Sequence, residues 1–162
     1  MGRFIKELFR RQRRDKMGYV GTLIAHVKRA GSDKWELLWE KKNLIVNTGY
    51  AQMALLWNAG TGFGYGGIGT GTNAAQATDT ALQTEINRVS GSFSRITTTV
   101  TDDTSQLVTV HTATGSWAIT EYGAFNAASA GVIFNRLVFG AISLAVDDQL
   151  QFTYKVQHKS GA

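Results

Sequence analysis

The stretch over residues 149–158 limits the fold more than any other part of the chain. Leu150, Phe152, Tyr154 and Val156 alternate with Gln151, Thr153, Lys155 and Gln157. A period of two places the first set on one face of an extended strand and the second on the other. One apolar and one polar face belong to a strand in an antiparallel sheet covered on one side only. Similar runs predict strands over residues 19–28, 35–40, 89–101, 106–114, 117–126, 132–139 and 141–145. Turn-forming clusters separate them at 29–34, 102–105, 127–131 and 146–148. Trp35, Leu37 and Trp39 are expected on one face of the second strand. Thr97 to Thr101 is expected to form a flat threonine-rich surface that another β element could cover.

Short strands at hairpin spacing predict an all-β, antiparallel β-sandwich or jelly-roll-like domain over residues 18–162. Two helical features are expected within it. Tyr50, Met53, Ala54 and Trp57 fall at helical spacing, which predicts a short buried helix ending near Gly60. Thr80-x-x-Gln83 has the form of a capping box and predicts one helical turn through Leu82 and Glu85. The 162 residues contain no proline. Edge strands must therefore be protected by charge, bulges or partner subunits.

Charge divides the chain sharply. Residues 1–16 carry seven basic side chains against two acidic ones, and the remainder carries ten of each. The body is neutral, and the surplus of five sits on an arm over residues 1–17. Phe4, Ile5, Leu8 and Phe9 make an apolar stripe along that arm if it is helical, flanked by Arg3, Arg10, Arg11, Arg13 and Arg14. A helix this short is marginal alone in water. The arm reads either as a frayed, solvated terminus or as a docking element for an acidic partner surface. Nucleic acid or an anionic membrane surface are weaker alternatives, and the docking role is the one carried forward. No apolar leader core precedes the body, so a secretory signal is not expected. Lys6 stands where a myristoylation motif needs Ser or Thr.

Seven of the twelve residues from Gly60 to Gly71 are glycine. Gly62-Phe63-Gly64-Tyr65-Gly66-Gly67 matches G-x-G-x-x-G, but a dinucleotide loop must follow a strand and open a helix. Here a helix is expected before it and a polar loop after it, so nucleotide binding is set aside. The stretch is read instead as a permissive connection. Phe63 and Tyr65 are its partner-binding candidates, expected to pack on the body or into a neighbouring subunit.

Enzyme chemistry finds no constellation. His26, His111 and His158 stand in separate strands without a ligand at i+2 or i+4. Asp102-Asp103 and Asp147-Asp148 occupy turns, Ser92 and Ser94 lack an elbow, and Glu121 has no acidic mate. The chain has no cysteine, so no thiolate site and no disulfide exist. No cofactor, metal or small-molecule substrate is expected, and the four tryptophans are read as core packing. Charged residues at 18% fall below the usual quarter, which suggests a surface partly turned toward neighbours.

One pattern runs across these segments. Asn43 to Gly49, then a short helix, then Ile68-Gly69-Thr70-Gly71-Thr72 and Asp79-Thr80-Ala81-Leu82-Gln83-Thr84-Glu85, resembles a recurring pattern in tailed-bacteriophage virion proteins. Ile119-Thr120-Glu121-Tyr122-Gly123-Ala124-Phe125-Asn126 is similar to a second stretch of the same group. The resemblance covers about two-thirds of the chain and leaves out the basic arm. It implies a β-rich, non-enzymatic virion subunit that forms a homo-oligomer, often a trimer, among tail-fibre, baseplate and capsid-decorating proteins. Of the two roles it leaves open, a decoration, cement or minor structural subunit on a capsid or tail lattice is expected. A tail-tip receptor-binding module is the alternative.

Overall fold

A computed structural model of the chain describes residues 18–49, 62–99 and 101–159. Among them nine strands are present: β1 Gly18–Lys28, β2 Glu36–Ile45, β3 Tyr65–Gly69, β4 Glu85–Ser90, β5 Ser92–Ile96, β6 Thr104–Thr112, β7 Trp117–Phe125, β8 Ile133–Leu144 and β9 Gln149–Lys159. They form one sheet in the order β4-β3-β7-β8-β2-β1-β9-β6-β5, and every pairing is antiparallel. The all-β, antiparallel expectation is correct. The expected helical arm and the helix over residues 50–57 lie outside the described residues; among the described ones only 47–49 are helical.

The sheet folds back on itself, and β3 and β4 lie against β6. Its ends, β4 and β5, are consecutive in the chain and separated by Gly91 alone. Ser90 pairs with Tyr65 on one half, and Ser92 pairs with Val108 on the other. A β-carbon on Gly91 would lie 2.5 Å from the Val108 carbonyl oxygen. Only glycine takes the chain round that corner without a clash. The single strand expected over residues 89–101 is thus two strands in different halves. The opposite error occurs at Gly140, where two expected strands are one continuous β8.

Alternation in β9 is observed as expected, with Leu150, Phe152, Tyr154 and Val156 all buried. β9 sits between β1 and β6, and registry sets its inner residues in rows. One row is Leu23, Tyr154, Leu107, and the next is Ala25, Phe152, Thr109. Small neighbours beside Phe152 make room for its ring, which also meets Trp39, Tyr122 and Phe139 from other strands. These contacts join both halves in one core.

Three other expectations need correction. A β-bulge falls at Leu38, since Ala25 pairs with Trp39 and His26 with Leu37. Only Trp39 then reaches the core, while Leu37 is 63% exposed. β5 stops at Ile96, and Thr98 and Thr99 donate their N–H groups to the Asp103 carboxylate, so no flat threonine strand forms. The helical turn expected after Thr80 is also not formed. Gln83 and Thr84 give their N–H groups to Glu121, and the Gln83 side chain accepts from Thr72 and Asn73. Donors that a helix would need are already engaged elsewhere.

Candidate functional site

The glycine-rich segment enters the sheet, and this places the main polar site. Residues 65–69 form β3, paired with β4 on one side and β7 on the other. The expectation of a mere connection is therefore overturned. Gly69 stands opposite Glu121 of β7, and the chain beyond it loops out to return at Glu85. Glu121 is 0% exposed and reaches under this loop.

Four donors meet the Glu121 carboxylate. Its Oε1 accepts from the N–H groups of Gly71 at 3.0 Å and Thr84 at 2.7 Å. Its Oε2 accepts from the Gln83 N–H at 3.0 Å and from Arg136 Nε at 2.9 Å. Arg136, itself buried, extends from β8 and donates through Nη1 to Asp79 Oδ2 at 2.9 Å. Through Nη2 it donates to the Asn73 carbonyl at 3.2 Å. Asp79 also accepts from the Gln76 N–H, and Thr120 Oγ1 donates to the Gly71 carbonyl. A β-carbon on Gly69 or Gly71 would lie within 2.6 Å of Glu121 Oε1. Those two glycines are needed for the carboxylate to approach the backbone.

Electrostatics follow from this geometry. Burial alone would raise the Glu121 pKa, but the Thr84, Gln83 and Gly71 N–H groups and Arg136 together hold it below the ordinary carboxylate range. Asp79 goes the same way, with burial opposed by the Gln76 N–H and by Arg136. Desolvation of Arg136 is outweighed by Asp79 and Glu121, and its pKa is raised. A carboxylate offers about four acceptor positions on its two oxygens. All four on Glu121 are taken by protein donors, so this group binds its own loop. It is a lock between loop and sheet.

Elsewhere the acidic turn pairs serve the backbone too. Asp148 accepts from the N–H groups of Ala30 and Ala145 and from Arg29 Nη1, tying the first hairpin to the turn before β9. The Ala145 N–H and the Arg29 side chain lower its pKa. Asp102 and Asp147 adopt positive φ angles of 59° and 66°, a conformation Asp tolerates in turns. His111 is fully buried with Nδ1 2.7 Å from Asn87 Oδ1, and burial pushes its pKa down to about 3, which keeps it neutral. His158 meets Tyr19 edge-on with ring centres 5.3 Å apart. Among the described residues, no group of three or more His, Asp or Glu side chains is arranged to hold a metal ion.

Of the residues expected to bind partners, Phe63 packs on the body. It is buried, stacked on Phe134 with ring centres 4.2 Å apart, and edge-on to Phe93 at 5.5 Å. A small apolar cavity of about 220 Å³ opens beside these three rings. Tyr65 is half-buried against the separate cluster of Val46, Leu82, Phe125 and Ile133. Arg3, Phe4, Ile5, Leu8, Phe9, Arg10, Arg11, Arg13 and Arg14 lie outside the described residues. The sequence reading missed Arg136 and found only that Glu121 has no acidic mate, because the partners of the two residues are 15 to 63 positions away. The one available signal was an Arg within a strand run otherwise rich in apolar residues. Comparison with protein-family models, curated proteins and solved structures finds no match.

Proposed function

We propose that this chain is a non-enzymatic structural subunit of a tailed-bacteriophage virion, present as a decoration, cement or minor structural protein. In this reading a sandwich-like body, as a homo-oligomer, meets the capsid or tail lattice, and the basic arm with its apolar stripe docks on an acidic neighbouring protein. One observation supports the reading above others. The residues that carry the virion resemblance interlock: Gly69, Gly71, Asp79, Gln83, Thr120 and Glu121 all take part in the same loop-to-sheet lock. Their polar atoms are directed to the chain's own backbone and to Arg136. A pattern of that kind preserves a rigid scaffold and leaves its outer surfaces for neighbours.

The test is incorporation. Quantitative mass spectrometry of purified particles should find the chain in many copies, and a chain lacking residues 1–16 should bind particles more weakly and with less salt dependence. Absence of the chain from particles overturns the reading, and unchanged binding by the truncated chain overturns the role of the arm. Binding of the purified protein to host cells, with only a few copies per particle, would favour the receptor-binding alternative instead.

A further inference from the structure

Among the described residues, the edge of β2 is where exposed apolar side chains, open backbone and paired charges coincide. Trp35, Leu37, Leu38 and Leu44 are exposed large apolar side chains, all on β2 or the residue leading into it. One side of β2 pairs with β1 from Glu36 to Asn43. The other side meets β8 only at Leu44 and Ile45, opposite Arg136 and Asn135. Before that point β2 and β8 diverge around an open cleft of about 460 Å³ lined by Leu38, Trp39, Lys41, Gly140 and Ile142. Among the described residues, the outer edge over residues 36–43 has no ladder partner. Such an edge is a template for another strand.

Its charges select the direction and identity of that strand. Glu36 stands at one end of the open edge, and Lys41 and Lys42 stand at the other. A second β2 running antiparallel about a two-fold axis near Trp39 sets each Glu36 against the Lys41–Lys42 pair of the other copy. The one-residue ambiguity introduced by the bulge at Leu38 only exchanges which of the two lysines is nearer. A copy running in the same direction in register puts Glu on Glu and Lys on Lys. Lysines and a bulge ordinarily blunt an edge. Here they reject the parallel arrangement and leave the antiparallel one, which repeats the same contact twice as a two-fold interface requires.

We propose that β2 is a homodimer interface, at which two copies join their sheets edge to edge through antiparallel β2 strands. Leu37 and Leu38 of each copy are then covered near Glu40 of the other, and the sheet continues across both subunits. The inference rests on the β2 edge alone and is separable from the virion reading, since purified protein suffices to test it. Light scattering on the full chain at low salt should give twice the 17.6 kDa chain mass. Glu36→Lys alone should raise the dimer dissociation constant about tenfold or more, and so should Lys41→Glu with Lys42→Glu. An equimolar mixture of those two variants should recover the dimer mass, which a folding defect would not permit. A monomeric wild type, a trimer, a dimer indifferent to Glu36→Lys, or variants that fail to recover on mixing would each overturn the proposal.

Discussion

Replacing Glu121 by Gln keeps the size and shape of the side chain and removes only its charge and half its accepting capacity. The Oε1 side faces the N–H groups of Gly71 and Thr84, and the Oε2 side faces the Gln83 N–H and Arg136 Nε. Whichever way the amide is turned, its NH₂ group points at two donors. Arg136 also loses its most buried counter-charge, retaining Asp79 at the more open end. Breaking a buried ion pair by neutralising one partner costs about 3–5 kcal/mol. With a urea dependence of about 2 kcal/mol per molar, the unfolding midpoint should fall by about 1.5–2.5 M. The acid limb gives an independent check. Folding lowers the pKa values of Glu121, Asp79 and Asp148. Their stabilisation is complete above the range where unfolded carboxylates titrate, about pH 4, and is lost as pH falls through the folded values. Wild-type stability should therefore fall in two stages. The first begins below about pH 6.5, where the unfolded His111 takes up a proton that the buried ring refuses. The second and steeper stage lies below about pH 4 as the carboxylates protonate, and Glu121→Gln should flatten only this one. A midpoint shift under about 0.5 M, or an acid limb identical to wild type, would refute the claim that Glu121 locks the loop to the sheet.

Two further substitutions probe the frame around that lock. Gly91→Ala inserts a methyl group 2.5 Å from the Val108 carbonyl and 2.6 Å from Thr109 Cγ2, so it should cost about 1–3 kcal/mol and lower the Tm by several degrees; an unchanged melting curve would mean that the corner has room. Phe63→Ala removes a buried ring stacked on Phe134 and should cost about 3–5 kcal/mol. Tyr65→Ala, at a half-buried position, should cost less, and equal losses in thermal unfolding would contradict the burial difference.

Strands were legible in the sequence wherever one face is buried and the other is not. β9 is the clearest case, because its inner residues meet β1 and β6 side chains in register. β3 was not legible. Its residues are buried but mostly glycine, so a pattern based on side-chain hydrophobicity carries no signal there. The break at Gly91 was hidden for a related reason, since residues on both sides favour strand and only the packing of the two halves forces the corner. Glu121 and Arg136 illustrate a third limit. Each reads locally as a charged residue within a strand, and the reason for burying them lies in backbone groups of a distant loop. The resemblance pattern had already selected Gly69, Gly71, Asp79 and Glu121, without indicating that they touch.

The pairing of β1 with β9 has a consequence for the order in which this chain can be made. Eleven residue pairs, from Gly18 with Lys159 to Lys28 with Gln149, join strands separated by over a hundred positions. A nascent chain can form the β1–β2 hairpin early, but Leu23, Ala25 and Val27 then wait uncovered until residues 149–159 leave the ribosome. Closing so long a span is slow, and the interval exposes both apolar side chains and a free strand margin. Conditions that delay completion of synthesis should therefore harm this protein more than an equal loss of final stability. Conversely, the proximity of Gly18 to Lys159 means that a short linker between them, with new termini opened in the turn at residues 29–34, would make the β1–β9 contact local and pass the long closure to the β1–β2 pair.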